Sequence, residues 1–137
     1  PKLLPPLYLA YNTNAAGDSG KVHSDVRKRY LEGDTFIAES MQALGALADK
    51  LKEALVTGDH DAIPALLREN FRIRRTVYGD AVVGARNIAM IDLAAEHGFA
   101  GKFTGSGGAI VCCRDTSLSL AEAGGDEGAP PKKRQKG

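Results

Sequence analysis

The sequence predicts a mixed α and β domain with helices through its middle and strands towards its two ends. Three observations carry that reading. Leu7-Tyr8-Leu9-Ala10-Tyr11 and Ala109-Ile110-Val111-Cys112-Cys113 are short β-prone runs far apart in the chain. Between them apolar residues recur at helical spacing, in segments closed by single glycines. Just before the second run, three glycines and a serine fill Gly105-Ser106-Gly107-Gly108, the composition of a tight turn between paired strands.

The elements follow in order. Leu7 to Asn12 reads as a buried strand after two prolines. Asn12 to Gly20 is small and polar and reads as a loop, which runs on through Lys21-Val22-His23. Ser24 is the candidate N-cap of a short helix ending at Glu32, with Gly33 as its stop. Asp34 caps the longest helix. There Ile37, Met41, Leu44, Ala48, Leu51 and Leu55 form one apolar stripe, and Gly58 ends it. Asp59 or Asp61 starts a third helix, with Pro64 tolerated in its first turn. Ile63, Leu66, Leu67, Phe71 and Ile73 supply its apolar side. Arg68, Arg72, Arg74 and Arg75 make it basic, either as a solvated face with salt bridges or as an anion site. Gly79 breaks this helix. A fourth covers Gly84 to His97, with Ile88, Ile91 and Ala95 inward. Strands at Gly101–Thr104 and Ala109–Arg114 then flank the glycine cluster.

The composition excludes several classes. The 137 residues are 43% hydrophobic and 26% charged, enough for one core. A net charge of +1 gives no overall bias toward nucleic acid or anionic membranes. No apolar run approaches the roughly 20 residues that span a bilayer. With no initiating Met and a proline-rich start, the chain reads as the middle of a longer protein without a signal peptide. Cys112 and Cys113 are adjacent in a strand, where side chains alternate between faces. They therefore do not bridge each other, and a reduced, cytoplasmic setting follows. Two cysteines and three scattered histidines argue against a metal site. The domain is expected over residues 1–115. Residues 116–137, rich in Gly, Pro and charge, are expected to form a disordered tail. Its end, Lys132-Lys133-Arg134-Gln135-Lys136, is either a solvated terminus or a nuclear-import or nucleic-acid patch.

The candidate site is Lys102 to Gly108. Glycine permits backbone angles that point several N–H groups into one concavity, a nest suited to an anion. Lys102, Thr104 and Ser106 add a cation and two hydroxyls. Spacing alone also fits a hairpin that needs glycine for geometry. Neither of the better-known phosphate signatures, the P-loop or the dinucleotide fingerprint, is present.

Lys102-Phe103-Thr104-Gly105-Ser106-Gly107-Gly108-Ala109, followed by an apolar strand, resembles the late glycine-rich segment of the GHMP-type small-molecule kinases. A narrower likeness, to the glucuronokinase subfamily, rests on Asp18-Ser19-Gly20-Lys21-Val22-His23-Ser24, on Asn70-Phe71 with Ile73-Arg74-Arg75, and on Asn87-Ile88. The resemblance covers Leu4 to Arg114. It implies the ferredoxin-like C-terminal domain of these kinases, an α+β fold with helices on one face of an antiparallel sheet. It implies ATP-dependent phosphorylation of the anomeric hydroxyl of D-glucuronate, with Mg²⁺. Thr104, Gly105, Ser106, Gly107 and Gly108 are then the nucleotide- or phosphate-binding candidates. Ser19, Lys21 and His23 are the candidates for the sugar acid, and the Asp18–Ser24 loop lies by the acceptor. In this family the main ATP-binding motif and the usual catalytic carboxylate lie in an N-terminal half, which also carries most of the Mg²⁺ and ATP contacts. The expectation is therefore a chain that is inactive by itself, works with that half, and does not engage membranes or nucleic acid. Two other readings compete: a non-catalytic binding module derived from such a kinase, and an interaction protein with a basic tail.

Overall fold

In the computed structural model the described residues are 3–12 and 19–117, with side chains described from His23 onward in the second segment. Strand β1 (Tyr8–Tyr11) is followed by helices α1 (Ser19–Leu31) and α2 (Thr35–Thr57) and a short 3-10 turn at His60–Ala62. Helices α3 (Ile63–Tyr78), α4 (Asp80–Val83) and α5 (Ala85–Glu96) come next, then strands β2 (Phe99–Phe103) and β3 (Ala109–Arg114). The three strands form one antiparallel sheet in the order β1-β3-β2. The fold is the expected α+β arrangement, consistent with a ferredoxin-like domain.

Local chemistry explains most boundaries. The Asp34 carboxylate accepts the Ile37 amide at 3.3 Å, closing one of the orphan donors that open α2. Gly58, at φ 74°, ends α2 in a left-handed cap whose N–H returns to the Ala54 carbonyl. Between Gly79 and Gly84 the chain makes the single turn α4, which has no period to read in sequence.

The core forms where α2, α3 and α5 meet the sheet. The register places Gly101 opposite Cys112 and Phe103 opposite Ile110. These residues share one face of the sheet, where Phe103, Ile110 and Cys112 pack with Phe71, Val83 and Ile91. On the other face Cys113 is buried with Ala54, Ile63 and Leu67. Both cysteines are free thiols, on opposite faces as the strand period requires. Gly101 is needed where it stands: a Cβ there would lie 3.0 Å from the Cys112 sulfur and 3.3 Å from Ile91 Cδ1.

Several expectations are corrected. Strand β1 is exposed along its whole length rather than buried, because among the described residues it pairs with β3 alone and no helix covers it. The first helix begins at Ser19, not after Ser24. Val26 packs against Ile37, Ile73 and Val77, and this tertiary anchor outweighs the turn-like Ser and Gly at the helix start. In α2, Ala48 is exposed, and Leu47 and Ala54 face inward instead. In α5, Ala94 packs inward and Ala95 lines a cleft. The third α-helix begins at Ile63, since Asp59 makes no side-chain cap and Asp61 falls in the 3-10 turn. The tail expected from Thr116 falls, from Leu118 onward, outside the described residues.

Candidate functional site

The glycine segment forms the connection of a β2–β3 hairpin. The Thr104 amide donates to the Ala109 carbonyl at 3.2 Å and closes the loop. Gly107 and Gly108 take φ values of 141° and 78°, which a side chain would strain. The loop is held from outside by Asn87 in the first turn of α5. Asn87 Oδ1 accepts the Gly108 amide at 2.8 Å, and Asn87 Nδ2 donates to the Val83 carbonyl at 2.8 Å. A Cβ at Gly107 would stand 2.8 Å from Asn87 Nδ2, so that glycine makes room for its own clamp. Asn87 is buried, yet sequence reasoning gave it no role, because an Asn near a helix start resembles an ordinary polar first-turn residue.

The five phosphate candidates are therefore not equivalent. The amides of Thr104 and Gly108 are already engaged, whereas those of Gly105, Ser106 and Gly107 carry no hydrogen bond among the described residues. Gly105 and Ser106 are exposed and Gly107 is half-buried. Lys102 does not reach outward. Its Nζ donates to the Phe103 carbonyl at 2.7 Å, and burial, assisted by the charge of Arg74, pushes its ammonium below the usual lysine range.

The connection that follows β1 meets this loop. The Asn12 amide donates to the Gly108 carbonyl at 2.7 Å. The sugar-acid candidates are less fully defined. Ser19 and Lys21 lie in the first turn of α1 with side chains outside the described set, and the segment Ser19–Ser24 is helical rather than a loop. His23 is exposed on α1, and its ring meets Tyr78 edge-on with centroids 6.2 Å apart. Tyr78 in turn lies 5.6 Å from the Arg74 guanidinium, which sits 4.9 Å from the Phe103 ring. A chain of ring contacts thus leads from α1 to the strand that enters the glycine loop.

A cleft of about 860 Å³ opens elsewhere, between α3, α5 and β2, with Phe71, Ile91 and Gly101 among its walls. Arg68, Arg72 and Arg75 line it, and each has an acid: Asp115 for Arg68, Glu69 at 2.5 Å for Arg72, and Asp80 at 2.7 Å for Arg75. Asp115, which is fully buried, also accepts the Ser117 amide at 3.1 Å. This cleft carries balanced charge rather than an anion site. Cys112 and Cys113 are buried among apolar side chains, and that burial pushes their thiols up, away from the thiolate form.

Over 109 residues the sequence is 52% identical to Glucuronokinase 1 of Arabidopsis thaliana and 50% identical to Probable glucuronokinase 2 of the same plant. Each match takes in 80% of this chain but 30% of the relative, so the chain spans less than a third of these proteins. No family model matches the sequence. No solved structure matches it either.

Proposed function

Because this chain is homologous over 109 residues to the glucuronokinases, we propose that it supplies part of the active site of an ATP-dependent sugar-acid kinase. The reaction in this reading is transfer of the terminal phosphoryl group of ATP to the anomeric hydroxyl of D-glucuronate, giving glucuronate 1-phosphate and ADP. Phosphoryl transfer asks a protein chiefly for positioning and charge neutralisation rather than covalent chemistry. The observation that carries the reading is the clamped glycine loop, which combines amides of Gly105, Ser106 and Gly107 that lack partners among the described residues with an anchor to Asn12. In the proposed role these amides face the phosphates, Thr104 and Gly108 hold the loop's shape, and the acceptor lies on the side of α1. Ser19, Lys21 and His23 remain its candidate contacts there.

Among the described residues no group of three metal-ligating side chains could hold a metal ion. In this reading the Mg²⁺ that accompanies ATP is held mainly by the N-terminal half and the phosphates. The same reading assigns the main ATP contacts and the catalytic carboxylate to an N-terminal half. No described helix is long and apolar enough to cross a membrane, and the proposal sets the enzyme in the cytoplasm.

A chimera tests this reading. The matched 109 residues of Glucuronokinase 1 are replaced by those of this chain, and phosphate transfer from ATP-Mg²⁺ to D-glucuronate is measured. The chimera is expected to turn over, and the 137-residue chain alone is not. A folded but inactive chimera would overturn the kinase reading. Turnover by the chain alone would overturn the division of the active site.

A further inference from the structure

We infer that Asn87 is a positioning residue for the nucleotide, an assignment that rests on the kinase reading above. It lies behind the glycine loop, touches no ligand in this reading, and holds the loop in the shape that receives phosphates. Gly105 to Gly108 needs such a support. Three of its four residues lack a Cβ, and glycine loses more backbone freedom on ordering than any other residue. Left loose, the loop would have to be ordered by the phosphates themselves, which lowers affinity. The hairpin supplies only part of the order, through the bond from the Thr104 amide to the Ala109 carbonyl at 3.2 Å. The far side of the loop, where Gly107 and Gly108 take φ values of 141° and 78°, is held from outside the hairpin.

Gly108 is gripped at both ends. Its N–H donates to Asn87 Oδ1 at 2.8 Å, and its carbonyl accepts the Asn12 amide at 2.7 Å. Holding that N–H fixes the plane of the Gly107–Gly108 peptide, because a peptide unit is rigid. The neighbouring unit, which carries the Gly107 amide, then has only the φ and ψ of Gly107 left to turn on. Asn87 is itself held. It is 5% exposed, and its Nδ2 donates to the Val83 carbonyl at 2.8 Å. Both ends of its amide are thus used, one as acceptor and one as donor. A carboxylate of the same shape lacks the donor, and a leucine lacks both. Gly107 is fitted to this group, since a Cβ there would stand 2.8 Å from Nδ2 and 3.3 Å from Cγ. An asparagine that served only the start of α5 would have no need of a partner 21 positions away.

The test begins with the 137-residue chain and inorganic triphosphate, followed by amide chemical shifts. Saturable shifts are expected at Gly105, Ser106 and Gly107. Asn87→Ala is expected to weaken binding by about tenfold, the effect of one lost hydrogen bond that held the loop. Gly107→Ala disturbs the same contact from the loop side and should weaken binding too. The two together should weaken it by less than the product of their separate effects. Native shifts in β2 and β3 exclude misfolding in each variant. The second measurement uses the chimera. There Asn87→Ala should raise KM for ATP by about tenfold and leave KM for D-glucuronate within about twofold. A merely structural role would lower kcat through loss of folded enzyme and leave both KM values unchanged, and that result would overturn the assignment. So would unchanged triphosphate affinity in the folded Asn87→Ala chain, and so would the absence of saturable triphosphate shifts in the unaltered chain. A chimera without turnover would overturn the kinase reading and leave the triphosphate titration to decide on Asn87, so the two readings fail separately.

Discussion

The two edges of the sheet are built differently. At the β2 edge, Ala100, Gly101 and Phe103 are buried and the strand packs against α3 and α5. At the β1 edge all four residues are exposed, with Leu9 at 71% and Tyr11 at 79%, and the strand is attached by its pairing with β3 and the edge-on contact of Tyr8 with Phe99. The glycine loop joins the well-packed edge to the central strand, and Asn12 ties the weakly packed one to it. The well-packed side fixes the shape of the loop, and the light side is tied to it through the Asn12 amide. Functional loops commonly pair a stable scaffold with a segment of low local stability.

The largest break in that comparison is Phe103→Ala. Phe103 is 1% exposed, stacks edge-on with Phe71 at 5.4 Å and carries the Arg74 guanidinium. Its truncation is expected to cost about 3–5 kcal/mol, a large share of the roughly 5–15 kcal/mol that holds a domain together. Urea unfolding measures it. A loss below about 1 kcal/mol would mean that the β2 edge is not the anchor.

A smaller and more local break is Asn87→Ala. It leaves the Gly108 amide and the Val83 carbonyl without their partner, at about 1–3 kcal/mol. Hydrogen exchange at Gly108 should accelerate while the amides of β3 stay protected. Gly107→Ala sharpens the point through a double-mutant cycle. Its Cβ would strike Asn87 Nδ2, so the cost of Gly107→Ala should shrink in the Asn87→Ala background, leaving the part due to φ 141°. Additive costs would show that the clamp and the glycine do not interact.

The sequence-level reading succeeded where structure is set by neighbours in the chain. The capping Asp34, the stop at Gly58 and the strand-loop-strand around Gly105 to Gly108 are all local signals, and all three stand in the structure. It failed where the deciding partner is distant. The start of α1 depends on Val26 meeting Ile37, Ile73 and Val77. Asp115 looked like the last residue before a change of composition, yet it is the buried partner of Arg68, 47 positions earlier. Arg74 and Arg75 are adjacent, but a helix turns successive residues about 100° apart, so one meets Asp80 and the other meets two aromatic rings. Asn87 was legible as part of a family likeness and silent as a clamp, because its partner Gly108 lies 21 positions away.

The smallest expected effect lies at the light edge. Leu9→Lys and Tyr11→Lys replace exposed apolar side chains that share a face and pair with Val111 and Ala109. Each should change stability by no more than about 0.5 kcal/mol, as surface substitutions away from packed contacts do. They should nevertheless change behaviour. An apolar strand with one unpaired edge is a template for association between chains, and lysine at such an edge blunts it. Sedimentation at increasing concentration is expected to show self-association in the unaltered chain and less of it in the double variant, with equal unfolding midpoints. A destabilisation above about 2 kcal/mol would contradict the contrast directly, because it would mean that Leu9 and Tyr11 are packed in solution and that the two edges carry comparable loads.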